Sequence, residues 1–369
     1  MIFIVNQGNL VKEMQNHIEG EANRMNILVI GGTKFLGRFV VQEALSRGHQ
    51  VTLLNRGNYN EIFAETSVEM LIGDRNSDLE ILQGRTWDAV VDTCAFLPEQ
   101  VTKLTKLLQG KTKHYTFISS ISVYQDWVPE GIDESYDTPT LSAEKLQEVM
   151  NDSTVSLPGP YYGPFKRMCE VEAERHLPGQ VLSIRAGLLV GPYDYTDRLT
   201  YWVRRVHQGG SVLTPENPHQ KVQFIDARDV ARWILHAMEY QVTGIYNATG
   251  PEYPLTFEQL LETCQRVTKS DAAWVWTSER FLLDQKVAPW TDLPLWLPEK
   301  YPLEEGGEPW RGGGSVNCKK AFAAGLSCRP LEDTLRDLWQ WDQDRNEASL
   351  KAGLSTEREQ EILRILKEV

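Results

Sequence analysis

The stretch from Asn26 to Gly48 constrains this chain most. Ile27-Leu28-Val29-Ile30 is a continuous apolar run, Gly31-Gly32-Thr33-Lys34-Phe35-Leu36-Gly37 follows, and Arg38 to Arg47 then carries apolar residues at helical spacing up to Gly48. An unbroken apolar run fits a strand buried on both faces, and a glycine just past a helical stretch fits its C-terminal cap. Val51-Thr52-Leu53-Leu54 reads as the next strand. Val68–Ile72, Ala89–Val91, Tyr115–Ile118 and Val181–Ile184 continue the series, with room for helices between several of them. Strand alternating with helix predicts an α/β chain, a doubly wound parallel sheet with helices on both faces.

The second half reads differently. Residues 186–219 and 251–342 are rich in Trp, Pro and Gly, while Val222–Ile225 and Gly244–Asn247 look like strands rejoining the sheet. The expected organisation is a sheet domain from residues 25–185 with 220–250, a smaller C-terminal substrate-binding lobe from 186–219 with 251–342, and a helical tail over 343–369. Residues 1–24, ahead of Met25, read as an extension outside the fold. Trp290, Trp296 and Trp310 share a loop-rich stretch with Gly306-Gly307 and Gly312-Gly313-Gly314; a substrate lid and plain packing both fit it. From Thr356 the tail shows a capping box with Glu359 and an apolar seam of Ile362, Leu363, Leu366 and Val369. That is the pattern of a docking or dimer helix, so a homodimer is one expectation.

Composition narrows the partners. With 38 basic against 51 acidic side chains the formal charge is −13, which speaks against nucleic acid, since affinity for it rests on basic neutralisation of the backbone. Five widely spaced cysteines without a Cys-x-x-Cys, and seven scattered histidines, point to free thiols and to no metal site. No apolar run is long enough to span a membrane, and Met1–Val5 lacks the basic flank of a signal peptide. The expectation is a cytoplasmic protein with a small-molecule substrate.

A glycine-rich turn between a buried strand and a helix places backbone N–H groups and the positive helix end where a pyrophosphate can sit. The turn resembles the GxxGxxG motif of extended short-chain dehydrogenases/reductases, with Lys34 in place of the middle glycine. The second strand ends in Asn55-Arg56-Gly57 and not in the acidic residue that binds ribose hydroxyls in NAD-preferring enzymes. Arg56 and Lys34 would bracket a 2′-phosphate, so NADP(H) is expected over NAD(H). The resemblance also places Asp74 like the family's adenine-contacting aspartate, and Thr93, Cys94 and Ala95 alongside the dinucleotide.

Downstream lie Phe117-Ile118-Ser119-Ser120-Ile121-Ser122-Val123-Tyr124 and Tyr162-Gly163-Pro164-Phe165-Lys166. Tyr and Lys four residues apart on a helix share a face, so the ammonium can lower the phenol's pKa and the phenol can exchange a proton with a substrate oxygen. A strand-terminal serine can orient that oxygen. After the nucleotide turn, this set resembles the extended or atypical short-chain dehydrogenase/reductase family of NAD-dependent epimerase/dehydratase type, over most of residues 25–342. Arg185–Pro192, Val222–Ala231 and Gly244–Gly250 add to the match. The resemblance implies a Rossmann sheet, with Ser120, Tyr162 and Lys166 catalytic, Ser119, Tyr162 and Lys166 also at the cofactor, and Ser122 as runner-up to Ser120. Tyr161 competes with Tyr162 but has no lysine at the required spacing.

Three departures narrow the choice. Ile121-Ser122 stands where sugar-nucleotide dehydratases carry Asp-Glu, and Arg185–Pro192 lacks the asparagine common in nucleotide-sugar epimerases. An acidic insertion, Gln125 to Tyr161, separates Ser120 from Tyr162, as a lid or as a solvated excursion. Arg198, Arg204 and Arg205 could hold a substrate phosphate or carboxylate, or pair with nearby acids. The Gly-Gly-Thr-Lys-Phe-Leu-Gly turn and the Asn247–Phe257 region also resemble chloroplast stem-loop-binding proteins. An RNA-binding protein and a nonenzymatic NADP(H) sensor are therefore the alternative readings.

Overall fold

The computed structural model describes residues 24–124, 126, 129–152, 159–298, 311–345 and 349–368. The extension before Arg24, Gly306-Gly307, Trp310, Val369 and parts of the insertion after Tyr124 lie outside them.

The strands are β1 (Asn26–Ile30), β2 (Gln50–Asn55), β3 (Glu69–Ile72), β4 (Ala89–Asp92), β5 (His114–Ser120), β6 (Val181–Ala186), β7 (Leu189–Val190), β8 (Ser211–Pro215), β9 (Ile225–Asp226), β10 (Gly244–Ala248) and β11 (Ala273–Thr277). The α-helices are α1 (Phe35–Ser46), α2 (Pro98–Leu108), α3 (Ala143–Asn151), α4 (Tyr162–His176), α5 (Arg198–His207), α6 (Ala227–Glu239), α7 (Phe257–Thr268), α8 (Glu279–Asp284), α9 (Lys319–Ala323), α10 (Leu331–Arg345) and α11 (Thr356–Glu368).

Seven strands form one sheet in the order β10-β6-β5-β4-β1-β2-β3. The α/β Rossmann expectation holds: β1 pairs in parallel with both β2 and β4, Ile30 standing opposite Leu54 and Asp92. Burial on both faces explains the unbroken apolar run, since Ile27, Leu28 and Val29 are all fully buried. From β1 the chain steps outward to β2 and β3, then returns to lay β4 on the other side of β1. That reversal is the topological switch point, where open α/β sheets bind ligands at the carboxyl ends of the strands.

Two expectations change. Val222–Ile225 does not rejoin the large sheet; only Ile225–Asp226 is strand, paired with Leu189–Val190 in a sheet of two. The reason is that the Val222 and Phe224 N–H groups are taken by the Leu255 and Gly250 carbonyls, at 2.9 and 3.0 Å. Likewise the cap of α11 is Ser355, whose hydroxyl accepts from the Arg358 N–H, and not a Thr356–Glu359 box. Glu359 is 1% exposed, because it accepts the Leu213 N–H at 2.8 Å and pairs with Arg205.

The chain divides into two compact units. The first runs to Ile118 and adds Met168–Ser183 and Ile234–Gly244; the second comprises Ser119–Arg167, Ile184–Trp233 and Ile245–Val369. In the second, Trp202, Phe257, Leu260, Trp296, Leu338 and Ile362 share one apolar core. Trp202 meets Phe257 edge-on at 5.0 Å, and its indole N–H donates to the Pro294 carbonyl at 2.6 Å. Trp296 is therefore packing, and α11 docks on its own unit through Ile362 and Leu363.

In the first unit Leu28, Ile30, Leu54, Val90, Tyr115 and Phe117 make an apolar core, and a charge is set into it. Asp92, fully buried at the end of β4, receives two hydrogen bonds from the Arg75 guanidinium, at 2.5 and 2.8 Å, and one from the Tyr115 hydroxyl at 2.9 Å. Burial alone would push the Asp92 carboxyl up; the Arg75 charge and these hydrogen bonds outweigh it and hold the group below its ordinary value. A depressed native pKa stabilises above the unfolded value of about 3.9 and ceases to as pH falls through the native value. Arg75→Met leaves a buried carboxylate unpaired and is expected to cost about 3–5 kcal/mol at pH 7. Urea unfolding should show that deficit narrowing as pH falls from neutral, because without Arg75 burial raises the Asp92 carboxyl and the variant takes up a proton at a higher pH than the parent.

Candidate active site

The turn after β1 depends on close approach. Gly31 and Gly32 take φ of 98° and 85°, a left-handed backbone that favours glycine. A Cβ on Gly31 would stand 2.5 Å from Thr93 Oγ1, and one on Gly37 would stand 2.8 Å from the Gly32 Cα. Phe35 and Leu36 are buried, Thr33 is half-buried and Lys34 is exposed. The start of a twelve-residue helix is thus brought to the end of β1. The first N–H groups of such a helix have no intrahelical partner and its dipole favours an anion. The two glycines let the turn, the end of β4 and the start of the helix close on one another without a side chain between them, which leaves the helix start open to an anion such as a pyrophosphate. Lys34 has ordinary extended backbone, φ −122° and ψ 142°, so its position does not itself require glycine. Its ammonium lies 4.7 Å from the centre of the Tyr59 ring.

Neighbouring residues frame this turn. Thr93 Oγ1 donates to the Ile30 carbonyl at 2.9 Å, tying the end of β4 to the end of β1. Asp92 also accepts the Cys94 N–H at 3.3 Å. Cys94 is half-buried, with its sulfur 3.6 Å from Arg75 Nη1, and Ala95 is buried. At the end of β2 the Asn55 side-chain oxygen accepts the Gly57 N–H at 2.7 Å, and Arg56 is exposed. Asp74 makes a local turn, accepting from the backbone and side-chain nitrogens of Asn76 at 2.8 and 2.7 Å.

The second unit gathers the serines, the tyrosine and the lysine. Ser119 and Ser120 close β5, at 2% and 8% exposure. The Ser120 hydroxyl accepts the Ser122 N–H and donates to the exposed Ser122 hydroxyl, both at 3.1 Å. Tyr162 opens α4, and Lys166, buried one turn later, brings its ammonium 5.7 Å from the Tyr162 ring centre. Between them Gly163 does what the sequence did not advertise. A Cβ there would fall 2.0 Å from the Ser122 carbonyl oxygen, so glycine lets the start of α4 rest directly on the serine turn. Tyr161 instead packs its ring 6.2 Å from Phe165.

Tyr124 anchors the other end of that serine turn. Its hydroxyl donates to Asn247 Oδ1 at 2.5 Å and accepts from Arg185 at 3.3 Å, and the Asn247 N–H donates to Glu134 at 2.7 Å. Burial pushes the Tyr124 phenol up to about 12, although Arg185 pulls the other way, so it stays a neutral donor. Of the three arginines, Arg204 is held by Asp342 through two bonds of 2.8 and 2.7 Å. Arg205 is taken up by Glu359 and by the Gly209 and Ser211 carbonyls. Arg198 lies with its guanidinium 5.5 Å from the Trp290 ring centre.

Comparison with known proteins decides the family. The family model "NAD dependent epimerase/dehydratase family" matches residues 27–112 and 103–249. The chain belongs to that family. Among curated relatives, the chloroplast stem-loop binding protein of 41 kDa b from Arabidopsis thaliana is 25% identical over 265 residues, 66% of this chain and 64% of its own length. The chain thus spans slightly under two thirds of that relative. UDP-glucuronic acid 4-epimerase from Bacillus cereus, solved with NAD, superposes with a TM-score of 0.61 at 15% identity, covering 88% of this chain and 99% of its own. UDP-N-acetylglucosamine 4-epimerase from the same organism gives 0.57 at 18% identity, covering 85% and 98%. At such identities these structures share the fold.

Two site features were missed from sequence. Arg75 could have been sought, because Asp92 closes an apolar strand and a charge in that place needs a partner. Gly163 has no signal beyond its type. Gly163→Ala is expected to destabilise by about 1–3 kcal/mol through overpacking against backbone, read as a lowered urea midpoint.

Proposed function

We propose that this chain is an NAD(P)-dependent oxidoreductase or epimerase acting on a hydroxyl or carbonyl of a small substrate, with sugars and sugar nucleotides the first class to test. The observation that carries this reading is the seating of Gly163 on the Ser122 carbonyl. It sets Tyr162 and Lys166 beside the Ser120–Ser122 turn in one unit.

In this mechanism the Tyr162 phenol gives or takes the proton of the reacting oxygen. The Lys166 ammonium, on the same helix face, favours the phenolate electrostatically. The Ser120 hydroxyl orients the reacting oxygen, and Ser122 holds Ser120 in place through its N–H. When bound, the nicotinamide supplies the hydride chemistry. Gly31, Gly32 and the first turn of α1 would hold the pyrophosphate, with Thr93, Cys94 and Ala95 alongside. Lys34 and Arg56 would bracket a 2′-phosphate, giving a preference for NADP(H). The sugar class is supported by two fold neighbours named for UDP-sugars.

The test combines a screen of carbonyl, alcohol and sugar-nucleotide substrates with cofactor binding. Tyr162→Phe should lower turnover on the substrate found by about 10²–10⁴-fold, a far larger loss than the change in NADPH affinity read by fluorescence titration. Full turnover in Tyr162→Phe would refute the acid/base assignment.

A further inference from the structure

We propose that Tyr59 sets the preference for a dinucleotide bearing a 2′-phosphate, by holding the Lys34 ammonium at the rim of the glycine turn. The inference rests on the reading of that turn as a dinucleotide site and adds to it a residue no motif contains.

Two placements that are each unfavourable locally meet here. Tyr59 has φ 69° and ψ 26°, a left-handed backbone that glycine or asparagine would adopt at less cost than a bulky aromatic. Burial does not repay this, because the residue is 47% exposed. Lys34 is the N-cap of α1 with no side-chain capping bond, so its cation stands at the positive end of the helix dipole, where an anion is preferred. The two side chains face each other, ammonium to ring centre at 4.7 Å, inside the range of a cation–π contact. Proteins break such local rules at functional or strained sites, and here two such placements touch each other.

The surroundings say what the pair awaits. From Asn55 to Asn60 the loop carries Arg56 and no carboxylate, and the bond from the Gly57 N–H to the Asn55 side chain fixes the turn that exposes Arg56. A cation misplaced on a helix start becomes favourable once an anion arrives beside it. A free lysine gives up much rotamer freedom on binding a phosphate, whereas one resting on a ring has already given up part of it. Tyr59 therefore acts on the 2′-phosphate through Lys34, as a positioning residue.

The experiment uses the full chain, titrated with NADPH, NADH, 2′,5′-ADP and 5′-AMP, and needs no substrate. Tyr59→Asn is expected to weaken NADPH and 2′,5′-ADP by about three- to fivefold, leave NADH and 5′-AMP unchanged, and keep or raise the urea midpoint, since asparagine suits the backbone. Tyr59→Phe keeps the ring and should bind like the parent. In a Lys34→Gly background, where the preference for NADPH has fallen, Tyr59→Asn should have no further effect. Equal weakening of both dinucleotides would overturn the proposal by making Tyr59 a wall for the shared adenosine, and so would additive losses in the double variant. A parent chain preferring NADH would overturn the 2′-phosphate assignment while keeping the dinucleotide site. Failure to bind either dinucleotide would overturn the dinucleotide reading itself.

Discussion

The buried ion pair between Arg75 and Asp92 is the constraint around which the first unit is arranged. Asp92 ends β4 with both carboxylate oxygens engaged by one guanidinium, and it also takes the Tyr115 hydroxyl and the Cys94 N–H. These bonds fix the direction in which the chain leaves the sheet. Thr93 can then reach the Ile30 carbonyl, and its hydroxyl oxygen becomes the wall against which Gly31 has no room for a side chain. A salt bridge of this kind is a poor source of net stability compared with a well-packed apolar replacement. Its value here is directional, since it determines where the two strand ends at the switch point stand.

The second unit uses a hydrogen-bonded network for a similar end. Tyr124, Arg185, Asn247 and Glu134 come from four separate parts of the chain and satisfy one another in the interior. The Ser120–Ser122 turn hangs from Tyr124 at one end and bears on Gly163 at the other. Pre-organised hydroxyls of this sort cost little to align when a substrate oxygen arrives. Tyr124 and Tyr162 are separated by environment: the first is a buried donor with a raised pKa, the second stands one turn from a lysine.

Much of this was legible in the sequence, because the signals were local. The run Ile27–Ile30 and the glycine turn fix a parallel unit, and Tyr162 with Lys166 is a spacing that only a helix converts into proximity. What was not legible depends on contacts distant along the chain. Val222–Ile225 looks like any apolar strand until Leu255 and Gly250 claim its N–H groups. Glu359 matches a capping box by spacing, yet Arg205, 154 residues away, takes it for an ion pair. Arg204 could be read as a substrate contact or as the partner of an acid; which acid, Asp342, emerges only when α5 and α10 are side by side.

The docking of α11 has a consequence for the order in which the protein can be made. Residues of the first unit end at Gly244, so all of its strands and its charge pair exist once that residue has left the ribosome. The core of the second unit waits for Ile362 and Leu363, and the free N–H of Leu213 waits for Glu359. During synthesis, then, the first unit can be complete while the unit that carries Tyr162 still exposes Trp202, Phe257 and Trp296. Domains fold as units as they emerge, and in this chain the glycine turn of the first unit can be formed before the unit that carries Tyr162 is packed.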